Sequence, residues 1–213
     1  MFIVISLVAF IFYQNASKAI IDGTLNKALL QATELMKVKV ENFNVPLIQT
    51  SSNLAISSNN KNWMLKDHES EEGRKLYQQE QEAIIANNGF PSIFQASLLS
   101  NTYYTKGVSD GPIDMDGKDS WLMFVINMNA PYGVNMDFDR VSGKLSMFIN
   151  YKVMDKNKLI GLTGTMVELN SLLEMLSKQK LGERGYFFAI SEDGTIQLHK
   201  NKDYILRQNQ TGC

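Results

Sequence analysis

KLSMFINYKVM, residues 144–154, carries the reading of the fold: Leu145, Met147, Ile149, Tyr151 and Val153 are apolar, and Lys144, Ser146, Asn150 and Lys152 stand between them. A period of two places those two sets on opposite faces of a strand, the pattern of an antiparallel strand with one covered face. The turn residues Val141-Ser142-Gly143 precede it and Asp155-Lys156-Asn157 follow, so Val134–Phe138 and Leu159–Met166 fold back on either side as two more strands. Upstream, Ser92–Leu99 and Thr102–Thr105 form a pair joined at Ser100-Asn101. A Gly- and Asp-rich loop, GVSDGPIDMDGKD, and a short apolar piece at Trp121–Ile126 separate the two groups. After the last strand, Leu169, Leu172, Leu173 and Leu176 mark the buried side of a helix from Val167 to Lys178. The expectation is one antiparallel five-stranded sheet over Ser92–Met166, flanked by helices, in an α+β chain.

Nothing before Ser92 reads as strand. Ile21, Leu25, Ala28, Ala32, Leu35 and Met36 recur at three- and four-residue steps, and Val40, Phe43 and Leu47 continue the stripe, which predicts a long helix from Ala19 to about Leu47 with Pro46 threatening a kink. A second, more polar helix is expected over Glu71–Ala86. Ahead of both lies MFIVISLVAFIFY, residues 1–13, uncharged but shorter than the ~20 apolar residues that cross a bilayer. It reads best as part of a membrane anchor, with a cleaved signal h-region ending near Ser17-Lys18-Ala19 or a buried helix as alternatives.

The 213 residues carry 21 Lys and Arg against 22 Asp and Glu, a net charge of −1, so no global positive field exists to gather nucleic acid. The single cysteine, Cys213, cannot form a disulfide within the chain. Two histidines, His68 and His199, give a nucleophilic triad little to work with, and no catalytic residue is assigned. Counting from Asp114 as a calcium loop puts Asp119 at the sixth position and Val125 at the twelfth, where glycine and glutamate are needed; no metal site is assigned. Gly161-Leu162-Thr163-Gly164 lacks the third glycine of a dinucleotide loop and reads as a strand kept small beneath a neighbour, so no cofactor is expected.

Taken in order, Ser100-Asn101-Thr102-Tyr103-Tyr104, Asp119-Ser120-Trp121, Tyr132-Gly133-Val134-Asn135-Met136-Asp137, Phe148-Ile149-Asn150-Tyr151-Lys152-Val153 and Gly161-Leu162-Thr163-Gly164 resemble the extracytoplasmic double-Cache sensor domains of bacterial transmembrane receptors, over about residues 14–200. The resemblance implies two PAS-like modules on a long N-terminal helix. Residues 1–13 would be a partial anchor, 14–50 a stalk helix, 51–178 the membrane-distal ligand-binding module, and 179–213 the start of a truncated membrane-proximal module, with an opening hairpin at Gly185–Ile190 and Thr195–His199. It further implies a small-molecule-sensing input domain at the bacterial cell membrane, extracytoplasmic, with a diguanylate cyclase, chemotaxis or histidine-kinase output outside this chain. A homodimer through the stalk is expected from the stripe. A stand-alone periplasmic binding protein is the alternative.

A ligand on such a module would sit on one sheet face. Tyr103, Tyr104, Trp121, Phe124 and Tyr132 offer walls, and Asn135, Asp137 and Asn150 offer polar contacts. The site is expected at Tyr103, Trp121, Tyr132, Asn135, Asp137 and Asn150. Members that bind amino acids are expected to carry an arginine before the Trp-Tyr and an aspartate after the later G-x-x-G; those positions here read Asp119 and Met166. A ligand carboxylate would lack its counter-charge, which favours a cationic or neutral ligand.

Overall fold

The computed structural model describes residues 2–66, 70–89, 92–178, 185–191 and 193–205, with side chains omitted at 2–9, 25–26, 175–177 and 202. His68 and Cys213 lie outside the described residues. The chain divides into two compact units, Met1–Asn44 and Val45–Cys213.

The first unit is helical. Helix α1 (Phe2–Ile21) passes into a wider π-helical stretch over Asp22–Leu29, where Gly23, Thr24 and Asn26 weaken the α-helical preference, and then into α2 (Leu30–Ile56). Among the described residues no helix is long and apolar enough to cross a membrane. Helix α2 runs through Pro46 and ends nine residues beyond the expected Leu47. What holds it past the proline lies in the second unit: Leu47 is buried, the Ser51 hydroxyl donates to the Leu47 carbonyl at 2.8 Å, and the Thr165 N–H donates to Ser51 Oγ at 3.0 Å.

Two further helices precede the sheet. Ser57 caps α3 (Ser58–Leu65), and Ser70 caps α4 (Glu71–Asn88), accepting the Gly73 N–H at 2.9 Å, while Glu71 and Glu72 face the positive end of the helix dipole. Gly89, at φ 70°, supplies the left-handed residue that ends α4. Helix α3 was not expected from the sequence; its composition, SNNKNWML, has no periodic apolar face, and it forms because Trp63 and Met64 have a sheet to lie on.

The sheet has six antiparallel strands, one more than expected: β1 (Ser92–Ser97), β2 (Thr102–Thr105), β3 (Val108–Pro112), β4 (Tyr132–Phe138), β5 (Leu145–Asp155) and β6 (Lys158–Glu168), in the order β3-β2-β1-β6-β5-β4. The additional strand comes from the stretch expected to be loop. Its residues, VSDGP, have poor strand propensity, and Pro112 and the exposed Val108 are tolerated because β3 is an edge. Lys106 and Gly107, both at positive φ (53° and 76°), make the tight turn that brings it back onto β2. Helix α5 (Trp121–Asn127) packs on β4 and β5, and α6 (Leu169–Ser177) follows β6.

Register assigns the two faces. Phe94, Ala96, Tyr103, Phe148, Leu162 and Met166 form the front-face core, together with Ile113, Leu122 and Val125 from the α5 side. Trp63 and Met64 of α3 and Tyr77 of α4 pack on Tyr104, Val153 and Ile160 behind, with Trp63 stacked on Tyr77 at 4.2 Å. The expectation that β5 has one covered face is therefore corrected: Ser146, Phe148 and Asn150 are as buried as Met147, Ile149 and Val153, because α5 covers the front as α3 and α4 cover the back. Both glycines of Gly161-Leu162-Thr163-Gly164 are held small by neighbours. A Cβ on Gly161 would lie 2.6 Å from the Ala96 carbonyl, and one on Gly164 would lie 1.8 Å from the Ile149 carbonyl. The opening hairpin is present in shortened form, as β7 (Ala189–Ile190) against β8 (Ile196–Leu198).

Candidate functional site

Strand β4 decides which residues can meet. Asn135 pairs with Phe148 and Asp137 with Ser146, so both side chains emerge on the front face, and Gly133 pairs with Asn150 on the same side. Tyr132 lies an odd number of residues from Asn135 and therefore points the other way. It stacks on Tyr151 of the reverse face, with ring centroids 4.7 Å apart, and leaves the expected site. Tyr104 is likewise on the reverse face, edge-on to Trp63, and Phe124 is 62% exposed on the outer side of α5.

The structure brings Tyr103, Trp121, Asn135, Asp137 and Asn150 to one face, though it joins them through residues not foreseen. Phe94 stacks with Tyr103 (5.8 Å) and meets Trp121 edge-on (5.6 Å); Phe148 stacks with Trp121 (5.6 Å) and is the direct cross-strand neighbour of Asn135. The alternation of β1 and β5 already placed Phe94 and Phe148 among front-face positions, which is the signal that would have found them.

Asn150 lies at the bottom of this arrangement, fully buried, with glycine beside it on both neighbouring strands: Gly133 on β4 and Gly164 on β6. Its Nδ2 donates to Asn135 Oδ1 at 2.6 Å and to the Gly133 carbonyl at 3.3 Å. A carbonyl accepts only, so the amide orientation is fixed, and Asn150 Oδ1 is left buried with no hydrogen-bond donor. Trp121 begins α5 and stacks on Phe148, two positions before Asn150 on β5. The far end of that helix is tied down by Lys152, whose Nζ donates to the carbonyls of Ile126 (3.0 Å) and Met128 (2.5 Å).

One edge of the face is charged, which the sequence reading missed. Arg140, from the turn after β4, is 4% exposed along its side chain; NH1 donates to Asp119 Oδ2 at 2.7 Å, and NH2 to the carbonyls of Asp110 (3.0 Å) and Pro112 (3.2 Å). Its guanidinium carbon sits 4.8 Å over the Tyr103 ring. Asp119, 1% exposed, also accepts the Asp114 N–H at 2.8 Å through Oδ2, while Oδ1 finds no donor. The position expected to hold an arginine thus carries an aspartate that holds an arginine supplied by another turn. Burial raises Asp137 above the usual carboxylate range, the Phe138 N–H opposes this, and the charge of Asp119 adds to it. Burial also lifts the Tyr103 hydroxyl well above its ordinary value, helped by Asp139 and Asp119 and opposed by Arg140. Met166, at the second position of contrast, is buried in the front-face core.

A cleft of about 510 Å³ opens elsewhere, between α3 and α4, lined by Asn59, Asn62, Trp63 and Tyr77 among others; it gathers none of the expected site residues. Among the described residues no three His, Cys, Asp or Glu side chains are placed to hold a metal ion.

No family model matches the sequence. In structure the chain is similar to the ligand-binding domain of the Pseudomonas aeruginosa PAO1 amino acid chemoreceptor PctB in complex with L-Arg (TM-score 0.66, 19% identity, covering 87% of this chain and 75% of that one). The ligand-binding domain of the P. aeruginosa chemoreceptor PctC in complex with GABA is another such neighbour (TM-score 0.62, 18% identity, 85% and 79% covered). A third is the sensor domain of the Vibrio cholerae histidine kinase DctB (TM-score 0.64, 9% identity, 88% and 71% covered). The sequence is 25% identical over 118 residues to the methyl-accepting chemotaxis protein PscA of Pseudomonas syringae pv. tomato; the match takes in 54% of this chain and 19% of that protein. The fold is that of the sensor domains the sequence resembles.

Proposed function

We propose that this chain is the extracytoplasmic small-molecule-sensing input domain of a membrane-bound bacterial signal transducer whose output lies outside it. The observation that carries this reading is the front face of the sheet. Aromatic rings from Phe94, Tyr103, Trp121 and Phe148 share the face with a buried asparagine whose acceptor is unused, on the side of the sheet that α5 covers. The fold shared with chemoreceptor ligand-binding domains supports it. The ligand is cationic or neutral. Residues 1–13 contribute to a membrane anchor, and the stalk pairs with a second copy through a stripe on which Ile21 and Leu35 are about half exposed to solvent.

In this reading a ligand acts by differential affinity for two arrangements of α5 and β6. A thermal-shift screen of small metabolites against wild type and Asp137→Ala tests it. Compounds are expected that raise the melting temperature of the wild type and raise that of the variant less. A screen with no hits, or hits that stabilise both proteins equally, overturns the front-face site. Sedimentation over a concentration series tests the stalk pairing, and a species that stays monomeric at high micromolar concentration removes it.

A further inference from the structure

We propose that the front-face site takes a small organic ammonium ion that carries no carboxylate; this rests on the sensor reading above and narrows its ligand class. Arg140, Lys152 and Lys144, which border the face, are each engaged within the protein, and Lys118, beside Asp119, is exposed to solvent. Arg140 is engaged at NH1 by Asp119, at NH2 by two backbone carbonyls, and through its face by Tyr103. Lys152 is engaged by the two carbonyls at the end of α5, and Lys144 by Glu168 at 2.8 Å. None of these three is free to receive a ligand carboxylate, and to release Arg140 would strand the buried Asp119.

What the face has in surplus is acceptors. Asn150 Oδ1 and Asp119 Oδ1 are buried and lack donors, and Asp137 stands half-buried on the same face with Asn135. A buried acceptor without a donor is costly, and each of these calls for a group that donates. Charge extends the point. Asp119 acts on Asp137, and Asp110, Asp119 and Asp139 all act on Tyr103, whereas Arg140 opposes them at Tyr103. A neutral donor would satisfy the hydrogen bonds and leave that excess of negative charge uncompensated. An ammonium group satisfies both, and its alkyl portion meets the rings of Phe94, Trp121 and Phe148, whose faces attract a cation. A ligand carboxylate brought to the same place would meet the carboxylates of Asp119 and Asp137.

A matched series on one carbon chain makes the test direct: butylamine, 1,4-diaminobutane, butyramide, butyrate and 4-aminobutyrate, together with a wider panel of primary to quaternary ammonium ions, neutral metabolites and carboxylic acids. Melting of the whole chain is followed with each. Amines from the panel are expected to raise the melting temperature by roughly 5 °C at a hundredfold excess over their dissociation constant, with the acids and 4-aminobutyrate inert. Calorimetric titration of the best amine into Asp137→Asn is expected to show binding weakened roughly 30-fold. Stabilisation by butyrate, by 4-aminobutyrate or by neutral compounds in place of amines overturns the ammonium assignment and leaves the sensing role standing. An amine that binds Asp137→Asn as tightly as wild type also overturns it. A panel in which nothing binds overturns the assignment and the sensor reading together.

Discussion

Replacing Arg140 with glutamine removes the cation hydrogen-bonded to a carboxylate that is 1% exposed. Breaking a buried pair by removing one partner costs about 3–5 kcal/mol, because the remaining charge stays in a poorly solvating place. The carbonyls of Asp110 and Pro112 lose their donors as well, at about 1 kcal/mol each where water cannot replace them. A loss of about 5 kcal/mol corresponds, for a module of this size, to a melting temperature lower by roughly 15 °C. The companion change, Asp119→Asn, separates charge from packing. In the Arg140→Gln background it neutralises the stranded group and is expected to restore about 2 kcal/mol, whereas in the wild-type background it destabilises. Urea unfolding of the four proteins of this cycle, followed by tryptophan fluorescence, gives the coupling energy. A loss below about 1 kcal/mol for Arg140→Gln, or no recovery on adding Asp119→Asn, refutes the reasoning that the pair is a buried, mutually dependent unit.

Two further outcomes are expected. Gly164→Ala places a methyl 1.8 Å from the Ile149 carbonyl and 2.9 Å from the Phe94 ring and should cost at least about 3 kcal/mol, whereas Gly143→Ala meets nothing within 4 Å and loses only about 1 kcal/mol to its positive φ of 67°; equal melting temperatures for the two would refute the crowding argument. Burial raises Asp110 and Asp137 above their ordinary value of 3.8, so the folded protein holds protons that the unfolded chain releases, and stability should fall as pH rises from about 4 through the raised values. The double variant Asp110→Asn, Asp137→Asn should flatten that slope in urea midpoints, and an unchanged slope would remove the assignment.

The sheet was legible because its strands obey local rules. β5 carries a period-two pattern bounded by turn residues, and its antiparallel pairing with β6 follows from the short Asp155–Lys158 connection. β3 was not legible, since VSDGP forms a strand only by being held to β2 through the Lys106-Gly107 turn; two consecutive residues able to take positive φ were its only local mark. Tyr132 was misplaced although parity alone assigns it to the reverse face, the same rule that correctly put Asn135 and Asp137 together. Arg140 and Asp119 are twenty-one residues apart on a turn and before a helix, and only the folded chain brings them within 2.7 Å. Helix α3 was invisible because its apolar residues are two neighbours, Trp63 and Met64, which show no period and become meaningful only when a sheet face lies beneath them.

The strand order has a mechanical consequence. The chain enters the sheet at its middle, at Ser92, travels to one edge, crosses to the other under α5, and leaves again through the middle, where Met166 is paired with Ser92. Entry and exit are therefore neighbours on one rung, and a pull or twist applied between α4 and α6 loads the β1–β6 seam by peeling. Its hydrogen bonds bear the load one after another from that rung, where a sheared seam would share it among all of them. Peeling is the compliant direction of a paired ribbon, and the rung that yields first holds Met166, whose other cross-strand neighbour is Phe148 in the aromatic floor. The stiff six-stranded sheet thus has a soft hinge line built into its centre, running from the helices that frame it to the rings that face the candidate ligand.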